Sequence, residues 1–199
     1  MADRVRTSDL RSRFLHLAQT SVYTVKLQPP PAVLSYLSSN GFNYNGDGGD
    51  VELRCKSTQL PATNFQTHDQ MNDYQGMTEK MAYRRMCAPV QFDFYVDDRY
   101  DVVEMFEGWM EYISGQTTND DSYARGYRSN YPSKYKTNVF ISKFEKGFNR
   151  ERSYQIDYTL VNAFPSATMP MSVSYDASQI LTFSVVMEYT KFTKTRRNV

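Results

Sequence analysis

Apolar and polar residues alternate with a period of two through much of this chain, and that period constrains the fold more than any other feature. It is clear in Tyr23–Leu27 and again in Val51–Lys56. Alternation places successive side chains on opposite faces of an extended strand, so each stretch is predicted to be a half-buried strand. The same pattern predicts five further strands: Lys80–Met86, Val90–Val96, Asn138–Glu145, Ser153–Val161 and Ile180–Tyr189. Seven strands predict a β-rich domain, all-β or α+β, with an antiparallel sheet.

One stretch departs from this period. Between Asp98 and Ser114 the apolar residues recur with helical spacing and form a single stripe. The opposite side of this predicted helix carries four carboxylates: Asp101, Glu104, Glu107 and Glu111. A surface helix with one acidic face is therefore expected, capped by Asp97 or Asp98 and ended by Gly115. Taken alone, such a face is simply solvated.

Length and charge narrow the classes of function. The chain has 199 residues, with 23 Lys and Arg against 22 Asp and Glu, and a single domain over residues 1–199 is expected. The balance of charge argues against tight nucleic-acid binding, which depends on an excess of bases. Aromatic residues make up 15% of the chain. Because tyrosine buries its ring and keeps a polar tip, this content predicts surfaces that become interfaces.

The sequence carries no motif of catalysis, metal binding or cofactor binding. His16 and His68 stand in unrelated contexts, and Cys55 and Cys87 form no zinc pattern and are expected to be reduced structural thiols. The segment 43–54 resembles a calcium loop in spacing, but its twelfth position is Arg54 instead of a bidentate Glu. We expect neither a signal peptide nor a membrane-spanning segment. We also do not expect the chain to be an enzyme.

The segment after the helix, residues 116–136, carries tyrosines at every fourth position among basic residues. The tyrosines are Tyr123, Tyr127, Tyr131 and Tyr135, and the bases are Arg125, Arg128, Lys134 and Lys136. Rings interleaved with bases can stack on and neutralise single-stranded nucleic acid. The alternative is a long surface loop that its tyrosines anchor to the domain or to a neighbour, and it is favoured because loops longer than about 15 residues are seldom nucleic-acid platforms.

Three segments together resemble the tail tube proteins of contractile-tailed bacteriophages. They are Cys55–Pro61, a strand with a Leu-Pro turn; Val90–Trp109, a strand leading into a helix with Phe and Trp; and the closing strands, Asn162–Ser166 through Ser174–Asp176 and Leu181–Val185. The resemblance implies an antiparallel β-sandwich or barrel with one outer helix over residues 98–114. Relative to short members, residues 28–50 are expected to be an insertion or hairpin loop, and residues 190–199 a basic C-terminal tail.

The same resemblance implies a structural virion protein. Six copies would close into a ring, and rings would stack through residues 57–76 into a tube whose lumen conducts viral DNA without sequence-specific binding. The polar strand faces then become lumen candidates through Asp157 and Glu188, and the acidic helix face a candidate contact for the contractile sheath. Other implied partners are baseplate and tail-terminator proteins and a tape measure protein inside the tube. Synthesis and assembly in the host bacterial cytoplasm are implied as well.

Other functions remain open at this stage. A baseplate tube-initiator or tail-terminator protein would share the fold and differ in copy number. A secreted effector tube of bacterial injection machinery would share it too. A single-stranded nucleic-acid-binding β-barrel belongs to another class and would depend on the Tyr-rich segment.

Overall fold

The computed structural model of the chain describes residues 18, 20–41, 54–70, 78–115, 129–144, 154–176 and 179–198. Within these ranges there are nine strands and three helices. The strands are β1 (Tyr23–Leu27), β2 (Cys55–Thr58), β3 (Thr63–Gln70), β4 (Glu79–Cys87), β5 (Val90–Tyr95), β6 (Thr137–Phe144), β7 (Tyr154–Thr168), β8 (Thr182–Glu188) and β9 (Lys191–Asn198). The helices are α1 (Pro31–Ser39), α2 (Asp101–Ser114) and α3 (Pro132–Tyr135). The predicted β-rich antiparallel fold is confirmed.

Seven of the strands form one sheet in the order β1-β6-β7-β8-β5-β2, with β9 also paired to β7. Every pair in it is antiparallel. The two ends of the sheet approach each other, because the Tyr23 hydroxyl on β1 donates to the Cys55 carbonyl on β2 at 2.9 Å. The sheet therefore curls toward a barrel. Strands β3 and β4 form a separate two-stranded sheet.

Strand β7 connects the two parts of this curled sheet. Its first part pairs with β6 and β9, and its last part, Phe164–Thr168, pairs with β8. Between them the register to β6 shifts, and Asn162 has a φ of 57°, in the left-handed region that Asn tolerates better than most residues. The bulge lets both Leu160 and Ala163 face the core although they are three residues apart.

The core lies inside the curl and is closed by the helices. Alternate residues of β5 and β8 are buried there, as their sequence period predicts. Helix α2 covers this side through Phe106, whose ring centroid lies 5.4 Å from that of Phe94 and 6.1 Å from that of Phe183. Trp109 is fully buried, and its indole N–H donates to the Tyr135 carbonyl at 3.0 Å. Helix α1 packs on α2 through Val33 and Leu37.

Several boundaries differ from the sequence-based expectations. Besides the one helix that was expected, the chain forms α1 and α3. The expected helix, α2, begins at Asp101, after a turn at 98–99. The segment 28–50 is not a hairpin loop over its described part, because Pro31 starts α1 with the fixed φ that the first turn of a helix favours. Strand β2 ends at Thr58, two residues after the predicted end at Lys56.

The C-terminal segment is also not a free tail. Residues 191–198 form β9, which continues the line of β8 along β7 after an interruption at Tyr189 and Thr190. The Thr190 amide donates to the Val161 carbonyl at 3.0 Å across this interruption. Since β9 has few apolar residues, its strand structure comes from pairing with β7 and not from a hydrophobic pattern.

Candidate assembly surfaces

Strands β3 and β4 form an antiparallel hairpin arm that stands apart from the core. Residues 64–70 and 79–86 are exposed on both faces of this ribbon. The exposed residues include large apolar side chains: Phe65 (61% exposed), Tyr83 (62%), Met81 and Met86. An isolated two-stranded ribbon is at best marginally stable in water, and clusters of exposed apolar side chains are typical of interaction surfaces.

Among the described residues, the side-chain and backbone contacts of the arm lie near its base. The Ala88 amide donates to the Ala62 carbonyl at 3.2 Å, and the Arg85 guanidinium donates to the Thr63 hydroxyl at 3.2 Å. The same guanidinium lies 5.6 Å from the ring centroid of Phe192 on β9. The two hydrogen bonds hold the strands of the arm to each other, and the contact with Phe192 joins the arm to β9. An inter-ring loop was expected at residues 57–76 and a strand at Lys80–Met86, but their pairing was not expected.

The sheet face opposite the core carries two similar hydrogen-bond networks. On β5 and β8, Asp93 accepts from the Gln91 amide at 2.9 Å, from Ser184 across the strands at 2.6 Å and from Ser57 at 2.5 Å. On β7 and β6, Asp157 accepts from the Gln155 amide and from Ser142 across the strands, each at 2.7 Å. The Gln-x-Asp spacing is visible in the sequence, but the cross-strand serine follows only from the register.

Both carboxylates are held in the ionised form. For Asp93, burial works against ionisation, but the hydrogen bonds from Ser184, Ser57 and Gln91 outweigh it and lower its pKa. For Asp157, the hydrogen bond from Ser142 lowers the pKa most, burial opposes it, and Gln155 and the nearby Arg197 lower it further. The Arg197 guanidinium is 3.1 Å from the Asp157 carboxylate. Burial raises the pKa of the Cys55 thiol, at the sheet edge, to about 11.

The two lumen candidates, Asp157 and Glu188, both lie on the face opposite the core, but not together. Asp157 sits where β7 pairs with β6 and β9, whereas Glu188 pairs with Phe164. Seven residues along β7 separate these positions, or roughly 23 Å at the rise of an extended strand. Asp157 is shielded by its network, and Glu188 is exposed. Only Glu188 therefore presents an open charge.

The acidic face of α2 is divided by its neighbours. Glu104 and Glu107 are exposed, whereas Asp101 is half-buried with its carboxylate 3.9 Å from Arg54. Glu111 is half-buried beneath α1 and accepts from the Tyr36 hydroxyl at 3.4 Å. The four positions do share one side of the helix, as predicted, but α1, which sequence reasoning missed, covers one end of it.

Only part of the Tyr-rich segment 116–136 lies among the described residues. Tyr131 is exposed, and Tyr135 is half-buried with its ring 5.6 Å from that of Phe164 in an edge-to-face contact. Tyr135 is therefore an anchor to its own domain, which is the role that the surface-loop alternative predicts. Tyr123, Tyr127, Arg125 and Arg128 lie outside the described residues, as do His16 and the calcium-like spacing at 43–50.

A second group of exposed apolar residues lies in the described part of the segment that connects β7 to β8, with one more at the start of α2. Val173, Tyr175 and Ile180 are 71% exposed or more, and Tyr100 at the start of α2 is half exposed. We call these four residues the apolar end. The Val96 amide donates to the Leu181 carbonyl at 3.0 Å, which places this segment beside the end of β5.

The described residues carry neither a metal site nor a membrane-spanning helix. In the described part of the chain, no group of three or more His, Cys, Asp or Glu side chains is arranged to hold a metal ion. Nor does any helix in those ranges have the length and apolar character needed to cross a membrane. The notable surfaces of the described residues are thus the arm, the apolar end, the acidic helix face and the polar sheet face.

Comparison with known proteins gives one family match and several structural ones. A family model described as phage tail tube protein matches residues 18–195. A chain of the sheath-tube complex of an extracellular contractile injection system in its extended state superposes with a TM-score of 0.53 at 12% identity, covering 98% of this chain and 99% of that one. A chain of the tube-terminating cap of the anti-feeding prophage gives 0.54 at 14% identity, covering 92% and 93%. No curated protein matches significantly in sequence. At such identities the structural matches show a shared fold.

Proposed function

The chain belongs to the phage tail tube protein family, and we propose that it closes into hexameric rings that stack into a hollow tube. As a member of that family it is a structural component of a viral tail. The single observation that best supports tube formation is the hairpin arm, because a ribbon exposed on both faces and rich in apolar side chains needs a neighbouring copy to cover it. We propose no catalytic role.

Electron microscopy of the purified chain tests this proposal. We expect negatively stained rings or tubes at high concentration. Replacing Phe65 and Tyr83 together by serine removes the two most exposed rings of the arm and should abolish them. Phe140→Ser is the matched control, because it removes an exposed ring from the polar sheet face instead. A chain that stays monomeric under all assembly conditions would contradict the proposal.

The proposed content of the tube is viral DNA, preceded by a tape measure protein. The face opposite the core suits a lumen, since its polar side chains are satisfied by each other and Glu188 is open to repel phosphates. Glu188→Lys should slow DNA ejection from phage particles. Asp157→Lys should slow it too, because it leaves Arg197 without its carboxylate partner and adds a second positive charge. Ejection at the normal rate from Glu188→Lys particles would end the repulsion argument.

The proposed partner of the acidic helix face is the contractile sheath. One support is that a structural neighbour comes from a sheath-tube complex. Another is that exposed charges bind weakly enough to let a sheath slide. Glu104→Lys with Glu107→Lys should block sheath polymerisation on intact tubes. Glu111→Gln, at the covered end of the face, should have little effect. Normal sheath assembly on the double variant would refute this contact.

A specialised end protein is the second candidate, because the tube-terminating cap of the anti-feeding prophage is also a structural neighbour. Copy number separates the two functions. A repeating tube subunit is present in many copies along each tail, whereas a baseplate initiator or tail terminator forms a ring at one end. Quantitative mass spectrometry of purified particles measures this number directly. Host cytoplasm as the place of synthesis belongs to the same proposal.

A further inference from the structure

Strand β9 leaves a vacant position beside it in the main sheet. It pairs with β7 along one edge, and no described strand pairs with its other edge. That other edge lies on the side of β5, because β9 continues the line of β8 and β8 pairs with β5 on this side. The residues before β5 do not fill the position, since β4 pairs with β3 in the separate sheet. We call this position beside Lys191–Asn198 the open slot.

The open slot is long enough to take a strand of another chain. Eight residues of β9 border it, which is roughly 26 Å at the rise of a strand. A free edge presents backbone N–H and C=O groups that can pair with an added strand. The base of the arm borders the slot on one face, where the Arg85 guanidinium lies 5.6 Å from the ring centroid of Phe192.

The surroundings of the open slot are basic. Strand β9 carries four exposed bases, with Lys191 and Arg197 on the polar sheet face and Lys194 and Arg196 on the other. The nearby described acids on β7 and β8 are Asp157, which pairs with Arg197, and Glu188. By sequence, residues 145–153 between β6 and β7 add three bases and two acids, and the arm adds three of each. The excess of bases therefore remains when these segments are counted.

Two observations select the class of partner. Nucleic acid could meet the bases, but only a polypeptide can continue the hydrogen-bonded ladder along a strand edge. A second copy of this chain is a poor partner, because no described strand carries more than one acid. A strand such as β1, whose one charged residue is Lys26, would bring a further positive charge to the slot.

We propose that the open slot binds an extended acidic segment of a partner protein, which joins the sheet as a strand beside β9. This goes beyond the proposed function and applies equally to a repeating tube subunit and to an end protein. The segment would place acids on both of its faces, near Lys191 on one and Lys194 on the other, with an apolar residue beside Phe192. Backbone pairing would hold any strand, and the charges select an acidic one.

Peptide binding to the whole chain below its assembly concentration tests this directly. The probe is a fluorescein-labelled peptide of Val-Glu-Glu-Thr repeats, which as a strand has acids on both faces, and fluorescence anisotropy at low salt measures its Kd. Lys191→Glu with Lys194→Glu should raise the Kd about tenfold or more, because two attractive contacts become repulsive. Lys26→Glu with Lys56→Glu is the matched control, since it makes the same change of charge at exposed positions of β1 and β2 and should leave the Kd unchanged.

A second probe separates strand addition from simple attraction between charges. The same peptide with methylated backbone nitrogens keeps its acids but cannot donate hydrogen bonds to the edge of β9, so its Kd should be about tenfold higher or more. The unmethylated peptide should also slow hydrogen exchange of the β9 amides and leave that of the α2 amides unchanged. Equal binding of the two peptides would overturn strand addition.

Other results would overturn the proposal in different ways. If fluorescein-labelled oligothymidine binds more tightly than the acidic peptide and loses affinity in Lys191→Glu with Lys194→Glu, the bases serve nucleic acid. If the acidic peptide does not bind the wild-type chain and Lys191→Thr with Lys194→Thr aggregates, the bases only protect the edge from other strands. Neither measurement depends on tubes, so a wild-type chain that forms no tubes would overturn the proposed function alone.

Discussion

Strands β4 and β5 follow each other in the chain with only Ala88 and Pro89 between them, yet they lie in opposite environments. In β5 every second residue, Val90, Phe92 and Phe94, is buried. In β4 every residue before Cys87 is exposed. Both are regular antiparallel strands, so backbone pairing alone does not decide whether a strand belongs to the core.

The difference comes from whether other elements cover the apolar side chains of each strand. Strand β5 alternates strictly and has β2 and β8 on its two sides and α2 over its apolar face. In β4 the register shift at Tyr83 brings Met81 and Met86 to the same face, opposite His68 and Asn64, yet both side chains stay exposed. Among the described strands, β3 alone pairs with β4. We infer that β5 encodes the folding of one copy, whereas β4 encodes contact between copies. The following predictions test that division.

The largest effect on folding should come from the core below α2. Trp109→Ala removes a fully buried indole that stacks on Phe106 and leaves the Tyr135 carbonyl without its donor. Large-to-small changes of a buried aromatic residue cost about 3–5 kcal/mol of stability. Urea denaturation of the unassembled chain measures this cost. Tyr131→Ala, at an exposed ring, is the control, and an equal loss from both variants would contradict the assignment of the core.

A smaller effect should come from the polar face of β5. Asp93→Asn removes the charge that accepts bonds from Ser57, Ser184 and Gln91, and hydrogen bonds to charged groups are worth about 1.5–3 kcal/mol each before compensation. We expect a net loss of about 1–2 kcal/mol at neutral pH, because the amide keeps one acceptor oxygen.

The lowered pKa of Asp93 determines how the stability of the folded chain should change with pH. The folded pKa of Asp93 is lowered, so its contribution is complete above the unfolded value of about 3.9 and is lost as pH falls through the folded value. The wild-type chain should therefore lose more stability than Asp93→Asn when the pH is lowered from about 5 into the range below about 4. Asp98→Asn, at an exposed carboxylate outside the network, is the control. Parallel pH profiles for wild type and Asp93→Asn would contradict the ionised network.

The sequence predicts those strands in which the alternation of apolar residues matches the residues that the fold buries. Tyr23–Leu27 is a strand with the predicted bounds, and β5 and β8 bury the residues that alternation selects. Helix α1 was missed because its nine residues include no charge and begin inside a proline run, so neither its stripe nor its start stands out. Strand β9 was missed for the opposite reason, since pairing with β7 fixes it without an apolar pattern.

The candidate surfaces were less predictable than the fold, because they depend on long-range register. The acidic residues of α2 were found from their spacing, but their unequal exposure depends on α1 and on Arg54. The serines that hold Asp93 and Asp157 come from neighbouring strands, and no local spacing connects Ser184 with Asp93. The lumen assignment of Asp157 and Glu188 and the sheath contact of the acidic face remain predictions.

The smallest effect on folding should come from the arm, and it distinguishes the two regions most sharply. Phe65→Ser with Tyr83→Ser changes side chains that are more than half exposed and make no core contact that folding would lose. Substitutions at such surface positions usually change stability by no more than about 0.5 kcal/mol. Urea denaturation below the assembly concentration should therefore give wild-type values for the same variant that we expect to abolish tubes. A loss comparable with that of Trp109→Ala would mean that the arm stabilises the single copy, and its exposed rings would then no longer argue for a neighbouring subunit.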